Sequence, residues 1–126
     1  MVDVVLVMLG GSMGALSRYL VSKMIENFLP LSRIPWGTPV VNITGSFFLS
    51  LLIFSFLDKG VPSRETVLLF GTGFLGAFTT FSTFTYESLS LLEEDISAGI
   101  LYIVVNLFFG FLGAYFGMIL GRGWKF

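Results

Sequence analysis

The chain contains neither cysteine nor histidine. Without thiols there is no disulfide framework and no thiolate nucleophile; without imidazole there is no zinc site of the usual ligands and no histidine base. Charge is scarce too. Asp, Glu, Lys and Arg make up 12% of the residues, against about 25% in an ordinary soluble domain. The net charge is −1 and no basic run occurs, so nothing addresses nucleic-acid phosphates. In place of charge the chain is 55% apolar, with a mean hydropathy of +0.91. A chain of 126 residues is short for a soluble domain with so large an apolar surplus. It suits a small integral membrane protein whose outer surface is solvated by lipid. The N-terminal apolar segment has Asp3 rather than a basic flank and no convincing cleavage site, so a retained anchor is expected rather than a signal peptide.

A spanning helix needs roughly 20 mostly apolar residues. Four segments qualify, at about 4–24, 38–57, 66–92 and 98–120, and they leave no soluble domain over; residues 1–126 are read as one four-span, all-α membrane domain. Turn-rich IPWGTP and LDKGVPSRE flank the second span, and Glu93-Glu94-Asp95 ends the third as a solvated loop. Trp36, Trp124 and Tyr19 fall near span ends, where amphipathic rings favour the headgroup region. Four spans put both termini and the second loop on one side, with Lys59, Arg64, Arg122 and Lys125. The other side has Lys23 and Arg33, plus Arg18 if its side chain reaches that way. This near balance gives the positive-inside rule little grip and permits insertion in both orientations, hence an antiparallel homodimer.

Small residues mark faces where helices can approach closely: Gly10, Gly11, Gly14 and Ala15 in the first span, and Gly110, Gly113, Ala114, Gly117 and Gly121 in the fourth. They speak for tight assembly and not for a function. The third span is longer, and about 27 residues of helix reach roughly 40 Å, beyond a hydrocarbon core of roughly 30 Å. It also carries Gly71, Gly73 and Gly76 followed by Thr79, Thr80 and Thr83, a poor composition for an uninterrupted helix. Either the helix is intact and tilted, or it breaks near mid-membrane and frees carbonyls that protein, water or ions must satisfy. Both readings are open on composition. The string GTGFLG within it spells G-x-G-x-x-G, but without a preceding strand and a βαβ unit it is no dinucleotide motif.

Polar residues inside spans are costly and mark pathways or interhelical contacts. Here they are Arg18, Asn42, the hydroxyls of Thr79–Thr85, Glu87, Tyr102 and Asn106. At helical spacing Phe81 and Phe84 share a face, as do Tyr102 and Asn106. Asparagine N–H donors and the positive edges of phenyl rings together make an anion environment without a full charge. Such a site coordinates a small anion without trapping it, as conduction requires. The competing readings are ordinary packing for the phenylalanines and interhelical hydrogen bonds for the asparagines. Arg18 and Glu87 are either a structural pair or pore-mouth charges. No catalytic set emerges, and the chain is not read as an enzyme.

The stretches GGSMGALSRY in the first span, WGTPVVNITGSF in the second and GFLGAFTTFSTFTYE in the third resemble, in that order, the Fluc (CrcB-type) fluoride channel family. The third stretch is long and specific, and the resemblance covers nearly all four spans. It implies an antiparallel, dual-topology homodimer in the plasma membrane, with a broken third helix, two fluoride pathways and passive export of fluoride that lowers cytoplasmic toxicity. By position, Asn42 resembles the pore asparagine that donates to fluoride. Phe81 and Phe84 resemble the phenylalanines whose ring edges face the ion, Thr80 and Ser82 extend the polar lining, and Tyr102 matches the fourth-span tyrosine. Gly76 and Thr79 resemble carbonyl donors to a central structural Na⁺ at the dimer axis. Arg18 and Glu87 match recurrent charged positions. Two departures stand out: Pro39 replaces an ordinary apolar residue, in a first turn that tolerates proline. Asn106 and Gly110 follow Tyr102 at helical spacing where some relatives carry serines, and Gly110 offers no side chain.

Two other classes fit a small four-span chain. A dual-topology multidrug exporter couples to protons through a membrane carboxylate in its first span, where this chain has Arg18 and no acid. A non-conducting assembly subunit would use the polar residues only to hold partners.

Overall fold

The computed structural model describes residues 1–123. Trp124 and Lys125, expected as an interface anchor and a flanking charge, lie outside the described residues. Among the described residues every regular element is helical. Four segments are long and apolar enough to cross a membrane: α1 (Val2–Phe28), α2 (Gly37–Lys59), α3 (Arg64–Glu94) and α4 (Ile96–Arg122). Each exceeds the expected apolar span by one to four residues at either end, because the polar flanks continue the helix.

Local chemistry sets the boundaries. Gly60 and Gly123 close α2 and α4 with φ of 69° and 71°, the left-handed conformation that glycine adopts without a Cβ penalty. Ser63 caps α3 by accepting from the Thr66 N–H. Asp95 does the same for α4, where Oδ1 accepts from the N–H groups of Ser97 (3.0 Å) and Ala98 (3.3 Å). The acidic cluster is therefore not a three-residue loop. Glu93 and Glu94 remain in α3, and Asp95 alone joins the two helices. Pro39 is fully buried in the first turn of α2, where its missing N–H costs no helical bond.

Neither α3 nor α4 is regular. In α3 a π-helical stretch, Val67–Leu75, leads into the single turn Gly76–Phe78. Thr79 is then extended (φ −82°, ψ 158°), and the helix resumes over Ser82–Glu94. In α4 the π-helical stretch is Val105–Phe109, around Asn106.

Packing runs along two glycine seams. α1 lies against the π-helical part of α3, and α2 against the C-terminal half of α4. A Cβ on Gly14 would sit 2.1 Å from the Phe74 carbonyl oxygen, and one on Gly117 would sit 2.2 Å from that of Phe47. Backbone meets backbone there, as small-residue spacing in membrane helices allows. Gly110 is different: a Cβ there meets nothing within 4 Å. Large apolar side chains such as Met8, Leu16, Leu20, Phe108 and Phe111 are exposed, as lipid-facing surface should be. Ion pairs tie the ends together. Arg64 bonds Asp3 at 3.0 and 2.5 Å, Arg122 lies 3.8 Å from Asp58, and Arg33 lies 3.7 Å from Asp95 at the opposite end. This is the up-and-down order that four consecutive spans require.

Candidate functional site

The interruption after Phe78 leaves backbone groups without helical partners, and side chains from α1 and α2 take up several of them. Asn42 on α2 does most of this. Its Oδ1 accepts from the Thr80 N–H at 2.8 Å, and its Nδ2 donates to the Thr80 carbonyl at 3.0 Å. The carboxamide thus mimics a peptide group and pairs with both sides of Thr80. The second Nδ2 proton goes to Asn106 Oδ1 at 3.1 Å, which links α4 to the same point. Arg18 on α1 donates from Nε to the Ala77 carbonyl at 3.1 Å. The N–H of Thr83 bonds the Thr80 hydroxyl at 3.2 Å, capping the resumed helix from within.

Around this junction lies an open groove of about 310 Å³, lined by Asn42, Ser46, Thr79, Thr80, Phe81 and Phe84 and, from α4, Asn106, Leu107, Gly110, Phe111 and Ala114. Phe84 is buried and Phe81 is 74% exposed; their ring centroids are 5.9 Å apart at 57°. Asn106 is buried and donates one N–H to the Tyr102 carbonyl at 3.1 Å. The groove is lined by aromatic and aliphatic groups together with amides and hydroxyls. Charged side chains are absent from that lining. It is a place for a small, weakly held polar species or anion.

A second cavity of about 260 Å³ adjoins it and has the opposite character, with Arg18, Ser22, Glu26, Thr38, Thr83 and Glu87 in its wall. Thr80 lines both, so the two spaces meet at the interruption. Glu87 accepts from Thr38 Oγ1 at 3.2 Å and from the Tyr102 hydroxyl. Arg18 and Glu87 form no ion pair among the described residues; each is held by a different partner and both face this cavity.

Of the residues expected to line an ion path, the structure brings Asn42, Thr80, Phe81, Phe84 and Asn106 to one groove. Ser82 is exposed and lies off it, its hydroxyl 3.4 Å from that of Thr80. Tyr102 is fully buried behind Phe84, with ring centroids 5.9 Å apart, and faces Glu87 instead. Gly76 is exposed on the outside of the chain and Thr79 lies on the groove rim. Two participants went unread in the sequence. Ser46 stands four residues after Asn42, on the same helical face, a spacing that could have flagged it. Thr38 is also four residues from Asn42, on the other side, and its tie to Glu87 needs the fold to be seen.

The model of the CrcB-like protein family, described as camphor resistance (CrcB), matches residues 5–118. The chain belongs to the CrcB-like family. Its relatives within that family include proteins named fluoride-specific ion channel FluC from Thermotoga petrophila and Thermosipho melanesiensis. The first is 59% identical over 96% of this chain and 95% of the relative. The second is 51% identical over 94% of this chain and 95% of the relative. A protein of Methanosarcina acetivorans, named fluoride-specific ion channel FluC 1, is 41% identical over 97% of this chain and 89% of its own. With four helices able to span a bilayer, this CrcB-like protein is a multi-pass membrane protein. The names of these relatives describe an ion channel and not an enzyme.

Proposed function

We propose that the chain is a fluoride-selective channel that lets fluoride leave the cell passively and so limits its toxicity. The observation that carries this reading is the groove beside the α3 interruption, where phenyl rings, two amides and hydroxyls converge without a charged side chain. The relatives' printed names point to the ion. Fluoride is small and strongly hydrated, so its water must be replaced by several donors at once. Asn106, the Thr80 hydroxyl and the edges of Phe81 and Phe84 supply them. Asn42 enters this scheme with both N–H donors already engaged. In this reading an arriving ion takes over one of those two bonds, and the partial charges release it again because none is a full cation. Narrowed by a second copy, such a site would favour fluoride over larger halides.

The functional unit we propose is an antiparallel homodimer with two pathways. One chain leaves the groove open along its side and leaves Phe81 uncovered, which a second copy would close. In that arrangement the α3 interruption lies near mid-membrane. The same dimer would gather carbonyls for a structural Na⁺ at its axis. The donor chemistry fits: the Thr80 N–H, which in a continuous helix would reach Gly76, bonds Asn42 instead, and Thr79 is extended. Gly76 and Thr79 thus offer carbonyl oxygens outside the helical ladder, the ligands a hard monovalent cation takes. Two carbonyls from one chain are too few, so both copies would contribute. A bound Na⁺ would supply a fixed charge that holds the crossing point together.

The test is fluoride efflux from liposomes containing the purified chain, its Phe81→Ile form and its Phe84→Ile form. Loss of flux in either variant supports the pathway; unchanged flux in both rejects it. Proton-driven uptake of a cationic dye would instead favour an exporter, and no ion flux at all would favour an assembly subunit.

A further inference from the structure

We infer that Ser46 is an anion-coordinating residue of the groove and supplies, from α2, the hydroxyl that α4 lacks at Gly110. The inference rests on the channel reading above. Three hydroxyl residues line the groove: Ser46, Thr79 and Thr80. Thr79 Oγ1 donates to the Leu75 carbonyl at 3.2 Å. Thr80 Oγ1 accepts from Thr83 N–H and shares a contact with Ser82. Ser46, half-buried, makes no hydrogen bond within the described residues. A serine or threonine inside a helix commonly satisfies its hydroxyl on the carbonyl one turn back. Thr44 does so on Val40 at 2.7 Å, and Ser88 does so on Phe84 at 2.7 Å. Ser46 keeps its donor for whatever occupies the groove.

The opposite wall explains why a donor is needed there. Asn42 and Asn106 are largely engaged with each other and with backbone carbonyls at the level of the interruption. Beyond them α4 presents Leu107, Gly110, Phe111 and Ala114 to the groove, and none carries a polar side chain. A desolvated fluoride leaving the asparagines along α4 alone would lose its donors, a large cost for so strongly hydrated an ion. Ser46, one turn past Asn42, lies on the only polar line that continues along the described groove. Gly110 is the complementary gap, since a Cβ there meets nothing within 4 Å. The Cβ of a serine at that position displaces no neighbour.

The experiment is a double-mutant cycle read as fluoride efflux from liposomes, using the unaltered full chain, Ser46→Ala, Gly110→Ser and the combination. Elution as a single species before reconstitution is checked for each. Loss of one donor to a charged group is worth roughly a factor of ten or more in occupancy, so Ser46→Ala is expected to slow efflux about tenfold. Gly110→Ser is expected to restore most of that loss in the Ser46→Ala chain, and to speed the unaltered chain far less. Efflux unchanged by Ser46→Ala overturns the inference. A combined variant as slow as Ser46→Ala overturns it equally, because the hydroxyl would then matter for something other than the anion. If the unaltered chain passes no fluoride, the channel reading fails and this inference with it; if the unaltered chain conducts and only the cycle fails, the channel reading stands.

Discussion

Two regions of this bundle are held together by opposite means. Along the α1–α3 and α2–α4 seams, backbone rests directly on backbone, and glycines at positions 14 and 117 leave no room for even one carbon. Around Ala77–Thr80 part of the helical hydrogen bonding is given up, and side chains from α1 and α2 bond the backbone instead, with α4 tied in through Asn106 to Asn42. Lipid offers no hydrogen bonds, so freed backbone groups must be satisfied by protein or by what the protein binds. The glycine seams therefore do the assembling, and the polar junction is where something other than protein can take a share of the bonding. That division predicts different failures for the two regions.

The largest effect belongs to the seams. Gly14→Val forces a side chain into the Phe74 carbonyl, an overlap that no rotamer change relieves, because the obstacle is backbone. The expected outcome is loss of the folded species, seen as absence of a monodisperse peak after extraction. Recovery of well-folded protein would mean that the seam can open.

Next comes Asn42→Ala. It leaves the N–H and C=O of Thr80 and the Asn106 oxygen without their partner, at about 1–3 kcal/mol for each buried group. Here the two regions should separate. The chain is expected to remain extractable, because the seams are intact, while fluoride efflux falls at least about a hundredfold by the same arithmetic. Normal efflux from Asn42→Ala would mean that Asn42 neither shapes nor lines the path.

The smallest effect lies outside both regions. Asp95→Ala removes the cap of α4 and the partner of Arg33. It should cost about 1 kcal/mol of stability, read as a slight fall in the thermal midpoint, with efflux unchanged. A large loss of flux from this variant would place the end of α4 in the conduction path and blur the contrast.

The two regions also differ in how far the amino-acid sequence discloses them. Long apolar runs set the four helices, and spacing revealed the seam glycines Gly14 and Gly117, because both signals are local. Gly110 shares that spacing but not the contact, since a residue's neighbour across a seam depends on where the partner helix passes. Asp95 was visible as a charge; its role as a cap depends on the backbone turning at that one residue. In the groove, the pattern TTFSTF and its family resemblance pointed to Phe81 and Phe84. What Asn42 bonds could not be read, because its partner is a peptide group 38 residues away that exists only where α3 is interrupted. Tyr102 has the right spacing to join Asn106 but lies behind Phe84, and the tilted contact between the two rings decides that. Ser46 shares the periodicity that links the other residues, but a serine in a membrane helix ordinarily bonds its own backbone, and only the fold shows that this one does not.

The central claim is that the groove at this junction, with no charged side chain in its lining, passes fluoride and little else. The direct measurement is the initial efflux rate of fluoride from liposomes bearing the purified, unaltered chain, with chloride-loaded liposomes in parallel. The account predicts rapid fluoride release and chloride release indistinguishable from protein-free liposomes. Equal rates for the two ions, or no fluoride release above that background, would contradict it.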